Sequence, residues 1–129
     1  MLFRKVPVPI VNLGTGTTLA AKDVLLDVRD EDEFLAGHVP DAWFCPVAEL
    51  DSIRLDLPML LRIVCISRTG ERGRDATDLL RQWGFNAANL GGGMVAWQAD
   101  GRPVVREDGS PGVVADGPAP TGEPGPTEE

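Results

Sequence analysis

The residues best suited to chemistry lie in one short stretch, Ser67 to Arg74, which follows the apolar run Ile63 to Ile66. An amphipathic pattern begins directly after this stretch, with apolar residues at helical spacing, namely Ala76, Leu79, Leu80 and Trp83. The sequence therefore predicts a strand, a tight loop and a helix in succession. Such a loop directs backbone N–H groups towards one point, and the helix N-terminus adds about half a positive charge. Because Arg68, Arg72 and Arg74 lie in or beside it, the loop is suited to an anion or to a thiolate of low pKa.

Strands that alternate with short helices are predicted to hold this loop in place. The apolar run Val24 to Val28 is typical of a buried strand. Asp30 and Glu33 follow at the spacing of a capping box, and Gly37 is placed to end the short helix that they begin. The alternation predicts an α/β fold with a parallel sheet and helices on both faces. Ligands of such sheets bind beyond the carboxyl ends of the strands, which is where the Ser67 loop is expected.

Negative charge is concentrated at the C-terminal end of the 129-residue chain, whose net charge is −8. Residues 107–129 hold six acidic residues and no Lys or Arg, whereas residues 1–106 hold 14 acidic and 12 basic residues. Since residues 107–129 are also rich in Gly and Pro, we predict a domain over 1–106 and a disordered acidic tail over 107–129. An acidic chain without a basic stripe is not expected to bind nucleic acid.

Other features favour a cytoplasmic protein without a metal or cofactor. No apolar run approaches the roughly 18 residues that a membrane span needs, and the first residues lack the apolar core of a signal peptide. Cys45 and Cys65 each lie among apolar residues, so we expect buried, unreactive thiols rather than a disulfide. A single histidine and no Cys-x-x-Cys motif argue against a metal site.

Four blocks of sequence resemble the rhodanese domain family. They are Asp27-Val28-Arg29 with Glu33-Phe34, then Gly37 to Ala42, then Ser67 to Gly73, and finally Gly92 to Trp97 with Gly101 and Pro103. Each block is short, but four in order with the family's spacing across residues 23–104 are specific. The resemblance implies a central parallel five-stranded sheet with helices on both faces. It also implies transfer of sulfane sulfur from a donor such as thiosulfate, with a loop cysteine carrying the sulfur as a persulfide.

The chain departs from this family pattern at the position of the nucleophile, which is Ser67. The spacing from Ser67 to Arg72 is that of the family's Cys-x4-Arg, but a hydroxyl cannot carry a persulfide, and serine without an adjacent base is a poor nucleophile. The last serine of the family's loop is Gly73 here. Cys65 is expected behind the loop, with a raised pKa. A hydrolase pairing of Ser67 with His38 lacks the Gly-x-Ser-x-Gly turn, and His38 is expected to hydrogen-bond within its own turn.

These departures predict a single-domain rhodanese-like pseudoenzyme that lacks sulfurtransferase activity and binds a small anion or a protein partner. The expected anion-binding loop consists of Ser67, Arg68, Thr69, Gly70, Glu71, Arg72 and Gly73. Asp27 and Arg29 are expected to support it from the neighbouring strand end. For Arg72 an ion pair with Asp75 or Asp27 remains the alternative to ligand binding. The alternative function is a thiosulfate sulfurtransferase, in which Ser67 is an engineered replacement of cysteine or another cysteine is used.

Overall fold

The computed structural model describes residues 11–12, 18–20 and 22–115 of the chain. The elements in chain order are β1 (Val11–Asn12), β2 (Thr18–Leu19), β3 (Val24–Asp27), α1 (Glu31–Ala36), β4 (Trp43–Phe44), a 3₁₀ helix (Val47–Asp56), β5 (Ile63–Ile66), α2 (Glu71–Gln82), β6 (Ala87–Asn89) and α3 (Gly93–Ala99). In the described part of the chain, no helix is both long and apolar enough to cross a membrane.

The central sheet is parallel, with strand order β4-β3-β5-β6. In its register, Leu26 of β3 lies between Trp43 of β4 and Cys65 of β5. The predicted parallel α/β fold is thus confirmed, but the number of strands was wrong: five were predicted, and the sheet has four in the described residues. β1 and β2 form a separate antiparallel pair outside this sheet.

Helices cover both faces of the sheet. Successive side chains of β5 point to opposite faces, where they pack in two separate apolar clusters. Ile63 and Cys65 pack in a cluster with Leu80 of α2. Val64 and Ile66 pack in a second cluster with α3, through Met94 and Trp97. The helices on both faces that the sequence predicted are therefore present.

Local capping determines where α1 begins and ends. The backbone N–H of Asp30 donates to Glu33 Oε1 at 3.1 Å, as the predicted capping box requires. Gly37 follows the helix, and its N–H donates to Glu33 O at 3.3 Å. The short helix predicted at this position is therefore confirmed, and its C-terminal end leads directly into the turn at His38.

Residues 104–115, which we call the strap, fold back onto the domain. Val105 and His38 exchange backbone hydrogen bonds of 2.9 Å, and the N–H of Val113 donates to Ala36 O at 2.9 Å. Val114 packs against the second apolar cluster. Residues 107–115 are therefore not the disordered tail that composition suggested, because backbone pairing and apolar contact fix them, and the domain extends beyond the predicted boundary at residue 106. The rest of the predicted tail, 116–129, lies outside the described residues.

Candidate functional site

The loop between β5 and α2 closes around the hydroxyl of Ser67. The Oγ atom accepts hydrogen bonds from the backbone N–H groups of Gly70, at 3.1 Å, and Gly73, at 2.9 Å. Gly70 has a φ of 120°, a conformation that favours glycine. The side chain of Ser67 is buried at the first turn of α2. The hydroxyl thus occupies the point towards which the predicted loop was expected to direct its N–H groups.

The start of α3 fixes the loop from the other side. Met94 N–H donates to Ser67 O at 2.8 Å, and Val95 N–H donates to Arg68 O at 3.0 Å. A Cβ atom on Gly93 would overlap both carbonyl oxygens, so only glycine permits this approach. The two polar atoms of a trans peptide unit point in opposite directions. Since the Ser67 and Arg68 carbonyls face α3, the N–H groups of Arg68 and Thr69 face away from it.

Asn89, at the end of β6, orients the next peptide unit of the loop. Its Nδ2 donates to Gly70 O at 3.2 Å, and Arg74 N–H donates to the same oxygen at 2.9 Å. The N–H of Glu71 therefore points the opposite way. Within the described residues, the N–H groups of Arg68, Thr69 and Glu71 make no hydrogen bond to another residue, and the N–H of Glu71 donates to its own carboxylate. They are consequently the donors that the loop offers to a ligand.

Asn89 also accounts for glycine at position 73. A Cβ atom on Gly73 would overlap Asn89 Oδ1 and would lie 3.2 Å from Ser67 Oγ. A serine here would therefore displace the Asn89 side chain. Asn89 was not among the predicted site residues, and the available signal was a polar residue at the carboxyl end of a strand neighbouring β5.

Arg72 forms an ion pair with Glu33 of α1 and not with either partner predicted for it. Its guanidinium binds both carboxylate oxygens, at 2.6 and 2.9 Å. Burial by itself would raise the pKa of Glu33, but the hydrogen bonds from Arg72 and from the Asp30 N–H hold it below its usual value. The hydrogen bond to Glu33 also raises the pKa of Arg72. The predicted alternative of an ion pair was right in kind, but Asp75 and Asp27 were the wrong partners.

Asp27 and Arg29 form a second ion pair that is fully buried. The Arg29 Nε and Nη2 atoms lie 2.9 and 2.7 Å from the Asp27 carboxylate, and Nη2 also donates to Gly37 O at 2.8 Å. These contacts join the end of β3 to the end of α1. The support of the Ser67 loop expected from Asp27 and Arg29 stays a prediction.

The mouth of the loop carries Arg68, Thr69 and Glu71. Arg68 is half-buried, and its Nε donates to Ala115 O of the strap at 3.0 Å. The Thr69 hydroxyl donates to the exposed Glu71 carboxylate. That hydrogen bond is the main cause of a lowered pKa at Glu71. A negative charge of the chain itself therefore lies beside the donors of the loop.

Both thiols lie away from these donors. Cys65 is fully buried in the first apolar cluster, and burial raises its pKa to about 12. Burial and the charge of Glu49 raise the pKa of Cys45 to about 11. The prediction that Cys65 lies behind the loop as a buried thiol is confirmed.

The side chain of His38 interacts with Phe34 of α1. Its Nδ1 atom is 2.7 Å from Phe34 O, and its ring stacks on Phe34 with centroids 3.8 Å apart. The local hydrogen bond predicted for His38 is confirmed. Among the described residues, no three His, Cys, Asp or Glu side chains are grouped so that they could hold a metal ion.

Comparison with known proteins agrees with this architecture. Residues 16–100 match the model of the rhodanese-like domain family. A sulfurtransferase of Allochromatium vinosum is 34% identical over 90 residues, which are 68% of this chain and 84% of that protein. A putative sulfurtransferase of Bacillus subtilis is 30% identical over 79 residues, which are 61% of this chain and 77% of that protein.

A solved structure shows the same fold. The crystal structure of a rhodanese-related protein from Thermoplasma volcanium superposes with a TM-score of 0.63 at 30% identity, covering 66% of this chain and 85% of that one. The parallel sheet, the strand–loop–helix at Ser67 and the family match over most of the chain lead to one conclusion: the chain belongs to the rhodanese-like domain family.

Proposed function

We propose that this rhodanese-like domain is a binding module that does not transfer sulfur, and that its loop receives a small oxyanion or an anionic group of a protein partner. The observation that carries the proposal is the position of Ser67 Oγ, which accepts two backbone N–H groups where a persulfide-forming thiol would be needed. An alcohol at this position offers no sulfur atom to hold sulfane sulfur. The N–H groups still favour negative charge.

The charges around the loop support binding that depends on the backbone. Arg72 is neutralised by Glu33, and Glu71 places a carboxylate at the mouth. The donors that remain are the N–H groups of Arg68, Thr69 and Glu71 and the positive end of α2. We therefore expect weak binding of sulfate or thiosulfate, with an affinity that decreases as the ionic strength rises.

Use of another thiol is disfavoured by the surroundings of Cys45. It lines a cleft of about 440 Å³ together with Glu31 and Glu49. Two carboxylates would repel a dianion such as thiosulfate, and a thiol with a pKa of about 11 is almost entirely protonated at neutral pH.

The proposed loss of sulfur transfer is tested with thiosulfate and cyanide. We expect no thiocyanate above background from the unmodified protein, and measurable thiocyanate from Ser67→Cys, with Ser67→Ala as the matched control. Thiocyanate formed by the unmodified protein and abolished by Cys65→Ala or Cys45→Ala would overturn the proposal. No activity in a folded Ser67→Cys protein would show that the loop, and not the missing thiol alone, prevents the reaction.

The proposed anion binding is tested separately by titration. Sulfate and thiosulfate, added against chloride at constant ionic strength, should shift the amide resonances of Arg68, Thr69 and Glu71. Glu71→Gln should bind more tightly, because it removes the carboxylate beside these donors. Amide shifts that sulfate and chloride cause equally would contradict a specific anion site in the loop.

A further inference from the structure

The strap lies beyond the part of the chain that defines the family, which ends at residue 100 in the match. It nevertheless crosses from α3 to the end of α1 and finishes at the Ser67 loop. Its last described residue, Ala115, accepts a hydrogen bond of 3.0 Å from Arg68 Nε. An element outside the matched family region thus contacts a side chain at the mouth of the candidate site.

The strap approaches the domain at two glycines. A Cβ atom on Gly112 would lie 2.7 Å from Gly37 Cα and 2.9 Å from Ala36 O. A Cβ atom on Gly37 would in turn overlap the backbone of Val113. The contact is backbone against backbone, so a side chain on either glycine would push the strap away. Gly37 has an extended φ of 171°, which other residues adopt without strain.

The strap is fixed by fewer buried apolar side chains than the elements of the core. Residues 106–109 are exposed, Val113 is 57% exposed, and only Val104 and Val114 pack as partly buried side chains against an apolar cluster. The other anchors are the backbone hydrogen bonds of Val105 and Val113, one from the Val114 N–H to Gln98 Oε1, and the one from Arg68 to Ala115 O. Segments with few buried apolar contacts open at a small fraction of the free energy of global unfolding. The strap is therefore suited to release while the sheet stays folded.

Arg68 is the loop cation whose availability depends on the strap. Arg72 is held by Glu33, whereas Arg68 forms no ion pair within the described residues. While the strap is docked, Arg68 Nε is directed at a carbonyl of the chain itself. A guanidinium released from that carbonyl would be able to add charge-assisted hydrogen bonds to an anion in the loop.

We propose that the strap competes with the loop ligand for Arg68. The docked strap accepts a hydrogen bond from Arg68, and release of the strap leaves Arg68 to bind the anion. This proposal rests on anion binding by the loop as the proposed function. Because the competition is a coupling between two sites, it acts in both directions. Releasing the strap raises anion affinity, and binding the anion promotes release of the strap.

The experiment compares full-length Gly112→Val and Gly37→Ala, which act from opposite sides of the same contact, with the exposed strap variant Glu107→Ala as control. Sulfate titrations should give tighter binding in both glycine variants by about fivefold or more, in the range of known couplings. Arg68→Ala should remove this gain when combined with Gly112→Val. In the unmodified protein, sulfate should accelerate hydrogen exchange at Val105 and Val113, whose N–H groups bond to His38 and Ala36 of the domain. This readout requires no variant to fold.

The outcomes separate this proposal from the proposed function. Rapid exchange across the strap in the glycine variants with unchanged sulfate affinity would overturn the competition and leave the strap a structural cover. Sulfate that slows exchange of the strap in the unmodified protein would overturn it as well. No sulfate binding in any variant, including one whose strap has been released, would overturn the anion-binding function itself.

Discussion

Ser67 and Cys65 lie two residues apart, and both side chains are almost entirely buried, but their surroundings differ in polarity. Ser67 Oγ receives two backbone N–H groups at the start of α2. Cys65 packs among apolar side chains, and burial raises its pKa to about 12. Burial is common to both positions. What separates them is the presence of donors that favour a negative charge at position 67.

Under the proposed function, this contrast accounts for the expectation that Cys65 does not act in place of a thiol at position 67. The thiolate is the reactive form of cysteine, and its population depends on the groups around the sulfur. At position 65 those groups favour the neutral thiol. At position 67 they favour the anion, but the residue there is an alcohol. Position 65 has a thiol without donors that stabilise its thiolate, and position 67 has such donors without a thiol.

The largest effect is expected when a thiol is placed among the donors. Ser67→Cys should give a thiol with a pKa near or below 7, because two N–H groups and the helix N-terminus stabilise the thiolate. Its thiolate fraction at neutral pH would exceed that of Cys45 by on the order of 10³-fold or more. The pH dependence of thiolate absorbance, with Ser67→Ala as background, measures this. A titration no different from that of an unfolded cysteine would show that the donors at position 67 do not stabilise a thiolate.

The position of the Ser67 loop relative to α1 also depends on the Arg72–Glu33 ion pair. Arg72→Ala would leave a carboxylate that is 1% exposed without its partner, which should cost about 2–4 kcal/mol of the free energy of unfolding. Arg74→Ala, on the exposed part of the same helix, should change stability by at most about 0.5 kcal/mol. Urea unfolding of both variants provides the test. Equal losses would show that the pair does not hold α1 against the loop.

The close approach of Asn89 to Gly73 limits which residues the loop accepts at position 73. Gly73→Ser should destabilise the fold by about 1–3 kcal/mol, because the added atoms overlap the Asn89 carboxamide. Adding Asn89→Ala to Gly73→Ser should recover part of the loss, whereas Asn89→Ala alone should destabilise. Thermal unfolding of the two single variants and the double variant measures the coupling. Strictly additive effects would mean that the two residues do not share this space.

A smaller effect is expected from pH, with a sign set by Glu33. Since its pKa is lowered in the folded state, it contributes stability above its ordinary pKa of 4.5. That contribution is lost as the pH falls through the lowered value. Glu33→Gln should therefore be less stable at neutral pH and should lose less stability than the unmodified protein on acidification. Parallel stability curves for the two proteins between pH 6 and pH 3, which is roughly the window of carboxylate titration, would contradict this assignment.

The smallest effect is expected at the other position of the comparison. Cys65→Ala removes one buried sulfur atom and should cost about 1 kcal/mol. Sulfate binding at the loop should be unchanged, since Cys65 packs in the first apolar cluster and not among the donors of the loop. Chemical unfolding and the same titration provide the measurement. A changed anion affinity would mean that the two positions are not independent.

Much of the scaffold followed from local patterns. The apolar run that forms β5, the capping box of α1 and the helical spacing of α2 each depend on residues close together in the chain. The same holds for the loop, whose position at a strand end and helix start is a local property. The strand count and the start of the predicted tail failed, because pairing partners outside a segment decide both.

The order of strand, loop and helix follows from the sequence alone, which also places Ser67 five residues before Arg72 in that loop. Contacts between distant segments required the folded chain: Arg72 binds Glu33, Asn89 fills the space above Gly73, and the strap reaches Arg68. The two kinds of feature differ in the sequence separation of the residues involved. Hydrogen bonds and apolar periodicity within a segment depend on residues close together in the chain. Ion pairs and close backbone contacts between segments depend on how the sheet brings distant parts of the chain together.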